Sequence, residues 1–179
     1  MTELWDVLDN DRQHTGVRVE RQLGLPDGQL HQIVHLCLFD VRGRMLIQRR
    51  VDTKSTWPGM WDVTVGGSVI AGETSAQGIA REVREELGLE MEFTRPAFTF
   101  NFVYGFDDFY VVRADIDERT LAVPNAEVAE VAWASIADIQ ALKARGEFIN
   151  YRDSALALVF DFVGEDGVRS DIFDGRPRP

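Results

Sequence analysis

The sequence predicts an α/β fold in which a mixed β-sheet lies between helices. Three observations carry that prediction. Runs rich in branched apolar residues pair around glycine turns, as in "HQIVHLCLFD", "VRGR" and "MLIQRR". A segment from about Thr74 to Leu87 repeats apolar residues at helical spacing and stops at Gly88. A second hairpin pattern, about "GFD", is followed by a late strand and two more helical segments.

Taken in order, "ELWDVLD" (Glu3 to Asp9) reads as a short strand and "NDRQHTG" as a polar turn ending at Gly16. His31 to Asp40 forms a strand, Gly43 turns the chain, and Met45 to Arg50 returns beside it. Pro58 and Gly59 mark "TWPGMW" as a loop, and "WDVTV" is one strand running into Gly66-Gly67. After the helix, "FTFNFVY" and "DFYVVRAD" form the second hairpin, and "EVAEVAWAS" the late strand. "IADIQALKARG" is a helix between Ser135 as N-cap and Gly146. "SALALVFDFVG" is the last helix, capped by Asp153 or Ser154, and "EDGVRSDIFDGRPRP" is a loose polar tail.

The 179 residues fit one domain, and 45% apolar content supplies a core. A formal net charge of -11 argues against nucleic acid as a partner, which needs a basic surface. It leaves a polyanionic small molecule open, because a metal ion inverts the local field. Cys37 is the only cysteine, and the acidic N-terminus lacks the apolar stretch of a signal peptide. No apolar run is long enough to span a bilayer. A cytoplasmic protein without a membrane partner is expected, and a homodimer is left open.

The central helix ends in "REVREELG", with three glutamates in eight residues. At about 100° per residue, Glu86 falls about 40° to one side of Glu82 and Glu85 about 60° to the other. Ala76, Ile79, Ala80, Val83 and Leu87 form the core-facing stripe. Glu85 points away from that stripe, whereas Glu82 and Glu86 lie along its margin. Arg81 precedes Glu85 by four residues and can pair with it. A solvated charged face is the common explanation of such a segment; the residues around it point further.

Gly67, Glu73, Arg81-Glu82-Val83, Glu85-Glu86 and Gly88-Leu89 match the Nudix box at every fixed position. The chain therefore resembles a Nudix hydrolase, with the box at 67–89, a Nudix domain at 30–164, an N-terminal strand segment at 1–29 packing on it, and a tail at 165–179. The resemblance implies the Nudix α/β/α sandwich and metal-dependent hydrolysis of a diphosphate linkage in a small molecule of the nucleoside diphosphate type. It makes Glu82, Glu85 and Glu86 ligands of Mg²⁺ or Mn²⁺, with Glu82 and Glu86 the leading pair. Box glutamates also help to deprotonate the attacking water in that family, which gives Glu82 and Glu85 catalytic parts. The Gly66 carbonyl is a further ligand, and Arg81 holds Glu73 or Glu85 in place.

Beyond the box, "WDVLD…TG", "LH" and "QRR…K…WPGMWDVTVGG" are similar to the isopentenyl-diphosphate isomerase side of the same superfamily. An isomerase is thus the main rival, and a catalytically silent binding module a third reading. The isomerase needs a cysteine where this chain has Gly66. It also uses several histidines: His31 matches one, but Gly24 and Ser68 stand at the others. The intact glutamate set speaks against both rivals. Arg50 and Lys54 match positions that hold diphosphate in the isomerase, a role equally suited to a hydrolase.

His31 and His35 share a strand face and are read as structural, and Cys37 as a buried small hydrophobe. Phe98, Phe100, Phe102 and Tyr104 alternate on one face, where core packing is the better reading than base stacking. Trp57 and Trp61 either wall a pocket or anchor their loop. An acid outside the box is sought among Asp107, Asp108, Glu127 and Glu130, and Glu127 is favoured. Asp107 and Asp108 are expected in a solvated hairpin turn.

Overall fold

A computed structural model describes residues 3–163, so the tail expected at 165–179 lies outside the described residues. The chain opens with a two-stranded antiparallel sheet, β1 (Leu4–Leu8) and β2 (His14–Glu20). The second of these strands was not expected: the polar turn is shorter than the sequence suggests. Asp9 closes it early, its Oδ1 accepting from the backbone N–H groups of Asp11 and Gln13. Val17 and Val19 alternate with Arg18 and Glu20, a period-2 signal masked by Gly16 and the charges.

The main sheet has seven strands: β3 (His31–Phe39), β4 (Met45–Arg50), β5 (Trp61–Asp62), β6 (Val65–Ser68), β7 (Phe98–Phe102), β8 (Gly105–Arg113) and β9 (Val128–Ala134). It is mixed, because β3 runs parallel to β8 and antiparallel to β4 and β6. Three helices cover it: α1 (Ser75–Leu87), α2 (Ile136–Ala144) and α3 (Asp153–Asp161). Alternation along β3 sends Val34, Leu36 and Leu38 to one face and Cys37 and Phe39 to the other. On the first face they meet Ile79, Val83 and Leu87 of α1. On the second they meet Ile139 of α2 and Leu156 and Val159 of α3. The result is the expected α/β/α sandwich.

"WDVTV" is two strands. β5 pairs with β4 through Gln48 and Asp62, while β6 pairs with β3 from Ile33 to Leu36. β3 and β4 are paired at Phe39 and Met45, beside their turn, and β5 and β6 occupy the space between them further along. Thr64, fully buried, stitches the gap: its hydroxyl donates to the Leu46 carbonyl at 2.5 Å and accepts from the Leu38 N–H at 2.8 Å. This split brings Gln48, Asp62 and Gly66 to one place in the sheet.

The second hairpin turns at Val103 and Tyr104, so Asp107 and Asp108 lie inside β8 and not in a solvated turn. Gly105 permits the shift: a Cβ there would come within 1.9 Å of the His31 carbonyl oxygen. Asp108 is buried, accepting from Arg12 at 2.9 Å and from Ser75 Oγ at 2.6 Å. Phe98 and Phe100 pack on Phe109, as the core reading of that alternation requires. Tyr104, beyond the strand, is exposed. α2 begins at the expected Ser135, which forms a capping box with Asp138. α3 does not begin at a side-chain cap: Arg152 holds that position, and Asp153 instead pairs with Lys143.

Both histidines of β3 are buried. His31 stacks on Trp5 with ring centroids 4.3 Å apart, and its Nδ1 has no hydrogen-bond partner. Burial, aided by the charge of Arg21, lowers its pKa to about 4. The unfolded chain therefore takes up a proton near pH 6.5 that the folded chain refuses. Stability from this group is present above pH 6.5 and is lost as pH falls toward 4, by about 2–3 kcal/mol. His31→Phe is expected to flatten that part of the pH profile, read from urea midpoints between pH 7 and 4.5. An unchanged slope would refute the assignment.

Candidate active site

Helix α1 is fixed at both ends. Thr74 forms a capping box with Gln77, and Gly88 closes the helix in the left-handed conformation at φ 71°. Between these ends the register decides which glutamates face inward. Glu82 is 7% exposed and Glu86 2%, whereas the Glu85 side chain is half exposed. Glu82 and Glu86 are thus buried under the helix margin, while Glu85 stays half exposed and is held beside Glu82 through their shared partner, Arg81 Nη1.

Arg81 is the hub of the box. Its guanidinium donates to Glu73 Oε1 at 2.9 Å, Glu73 Oε2 at 3.1 Å, Glu82 Oε1 at 2.8 Å, Glu85 Oε2 at 3.1 Å and the Ser68 carbonyl at 2.9 Å. It holds both Glu73 and Glu85, and it also engages Glu82, which a simple i,i+4 pairing would have left free. Gly67 makes room for this arrangement: a Cβ there would lie 2.0 Å from Glu82 Cδ. Gly66 is confined on its other side, where a Cβ would lie 2.8 Å from His35 Cδ2.

The two inward carboxylates differ in their neighbours. Burial raises the pKa of Glu82, and Arg81 works against that rise. Burial pushes Glu86 up to about 8, and the adjacent Glu82 adds to it. Asp62 and Glu127 press in the same direction. The side-chain partner of Glu86 is the neutral amide of Gln48, whose Nε2 donates to Oε2 at 2.7 Å. A cluster of carboxylate oxygens with so little positive charge around Glu86 suits a hard divalent cation. Glu82, Glu86 and the Gly66 carbonyl are the groups that would hold one. Among the described residues, no three His, Cys, Asp or Glu side chains are gathered as a metal-holding group; the buried carboxylates of α1 are Glu82 and Glu86.

The residues expected to grip diphosphate lie on the same side of the split sheet. Arg50 Nε donates to the Thr56 carbonyl at 3.1 Å, and its Nη1 is 3.9 Å from Asp62 Oδ2. Lys54 and Glu127 are ion-paired with each other. Glu130 is paired with Arg49, and Asp108 with Arg12. Asp107 Oδ1 meets His35 Nδ1 at 2.6 Å. Of the acids considered outside the box, Glu127 is one whose charge reaches both Glu82 and Glu86. Trp61 packs against the core under α2 and α3, while Trp57, on the loop, is 52% exposed.

Sequence reasoning missed Gln48 and Asp62. One signal for Gln48 was present: a polar residue in "MLIQRR" at a position that alternation assigns to the α1 face. Tyr151 was also missed. Its hydroxyl donates to Asp62 Oδ1 at 2.7 Å and lies 3.2 Å from His35 Nε2, which ties the segment before α3 to this region.

A family model, the NUDIX domain, matches residues 29–153. The chain belongs to the Nudix family. An uncharacterized Nudix hydrolase of Listeria monocytogenes is 39% identical over 151 residues, covering 83% of this chain and 89% of its own. An isopentenyl-diphosphate Delta-isomerase of Clavibacter michiganensis is 35% identical over 91 residues, covering 51% of this chain and 47% of its own. A crystal structure of a Deinococcus radiodurans protein superposes with a TM-score of 0.72 at 26% identity, covering 88% of this chain and 97% of that one. The Nudix enzyme described here thus shares its fold with solved proteins, and its box runs from the end of β6 through the following loop and α1 to Leu89. Among the described residues no helix is long and apolar enough to cross a membrane.

Proposed function

We propose that this Nudix enzyme is a Mg²⁺- or Mn²⁺-dependent pyrophosphohydrolase of the cytoplasm, cleaving the diphosphate linkage of a small molecule of the nucleoside diphosphate type. The supporting observation is the buried pair Glu82 and Glu86, in which Glu86 lies among acids with a neutral amide as its side-chain partner. A bound divalent cation would neutralise charge on the diphosphate oxygens and acidify water.

The chain's own residues divide the remaining work. Glu82 and Glu86, with the Gly66 carbonyl, would hold the cation. Arg81 fixes Glu82 from behind through a charge-assisted hydrogen bond. Glu85, half exposed beside Arg81, can take a proton at the mouth of the site. Arg50 and Lys54 present cationic groups to the diphosphate. Lys54 is engaged by Glu127 in the free enzyme, so substrate binding would release that carboxylate as an additional acid or base.

The isomerase alternative meets an obstacle in the fold. Cys37, the one cysteine of the sequence, is fully buried on the α2/α3 face, and burial raises its thiol pKa well above the usual value. Glycine stands at the position where the isomerase needs a thiol. The test is a substrate panel of nucleotide sugars, dinucleoside polyphosphates and nucleoside triphosphates with Mg²⁺ or Mn²⁺. Cation-dependent release of phosphorylated products is expected from at least one member. No release from any, together with isomerised product from isopentenyl diphosphate, would overturn the proposal.

A further inference from the structure

Gln48 is 1% exposed on β4, in a strand otherwise apolar toward the core. Its Nε2 donates to Glu86 Oε2 at 2.7 Å. Its Oε1 is buried and has no hydrogen-bond partner. An amide kept for packing alone would be satisfied at both ends, because a buried acceptor without a partner is costly. A methionine or leucine would fill the same volume without that cost. The residue therefore has a task that a hydrocarbon cannot perform.

Its surroundings identify the task. Glu82 already has a cationic partner in Arg81. A second lysine or arginine beside Glu86 would neutralise the pair and compete with any cation for its oxygens. A neutral donor instead orients the carboxylate and leaves its charge unspent. Gln48 also pairs in register with Asp62, so strand geometry fixes the amide's position.

We infer that Gln48 is the positioning residue of the cation site: it fixes the Glu86 carboxylate beside Glu82 with a neutral hydrogen bond, so that both remain available to a divalent cation. This rests on the cation-dependent reading above. Gln48 acts through Glu86.

Calorimetric titration of Mn²⁺ into the wild-type protein and into Gln48→Met tests it. Methionine keeps the length and volume of the side chain and removes the amide. The variant's dissociation constant is expected to rise by about 10- to 100-fold, the usual loss when a residue supporting a metal ligand is removed. The melting temperature of the metal-free variant should fall by no more than a few degrees, since Glu86 loses a donor but the unsatisfied acceptor of Gln48 goes with it. A space-filling role predicts an unchanged dissociation constant, since methionine fills the same volume, and that result would overturn the inference. Should wild type itself bind no Mn²⁺, the cation reading falls with it; should wild type bind and Gln48→Met bind equally well, the role of Gln48 alone falls. If the variant does not fold, the assigned Gln48 side-chain amide protons of the wild type are followed by NMR during Mg²⁺ addition. They are expected to shift on saturation, and resonances that stay in place would overturn the inference.

Discussion

Glu86→Gln is expected to lower kcat by about 10³-fold while making the metal-free protein more stable, a combination that few substitutions produce. Glutamine keeps the size of the side chain and its hydrogen bond to Gln48 but loses the charge. The gain in stability follows from the environment of the carboxylate. Its pKa is pushed up to about 8, first by burial and then by Glu82. A carboxyl with a raised pKa costs the folded state nothing below about pH 4.5 and progressively more as pH rises through 8. The variant should therefore melt like wild type near pH 4.5 and be about 1–3 kcal/mol more stable near pH 7.5. Glu82→Gln is expected to lose activity to the same extent with a smaller gain, because Arg81 offsets part of the cost of burying its charge. Parallel assays and metal-free melts of both variants decide the matter. Wild-type turnover in either would mean that the carboxylates only decorate a helix.

Arg81→Met should be the most destabilising single change in the box. Arg81 is 14% exposed and makes hydrogen bonds to three glutamates and to the Ser68 carbonyl. Its removal leaves Glu73 and Glu82 in a poorly solvated place with no countercharge. Breaking a buried charge network in this way costs about 3–5 kcal/mol. For a protein of this size that corresponds to a fall of about 10 °C in melting temperature. Activity should fall as well, because Glu82 loses its anchor. Arg81→Lys would keep the charge but not the fork that reaches Glu73 and Glu82 together, and should recover less than half of the lost stability. Thermal melts of the two variants at pH 7 measure this directly; a Met variant melting within about 2 °C of wild type would contradict it.

The local parts of the fold were legible because their signals are local. Thr74 and Gly88 bound α1 through contacts within three or four residues, and the apolar spacing between them sets the buried face. The same spacing separates Glu82 and Glu86 from Glu85. β3 and β4 followed from branched apolar runs around Gly43, and α2 from Ser135. The errors arose where a distant segment intervenes. "WDVTV" reads as one strand until β3 and β4 diverge and each claims half of it. Asp108 reads as a solvated turn residue until Arg12, 96 positions away, reaches its carboxylate. Asp153 reads as a cap until Lys143 takes it.

Family and chemical character were set by the sequence alone. The full box from Gly67 to Leu89 places three glutamates and an arginine at fixed helical angles, and helix geometry needs nothing beyond those residues. The tertiary structure alone decided the distant partners of the carboxylates: Glu86 against a neutral glutamine from β4, and Glu127 against Lys54. Strand register and the split of the sheet bring these partners together across long stretches of chain. A residue's charge is written in its letter, but the cost of burying that charge depends on which distant groups surround it.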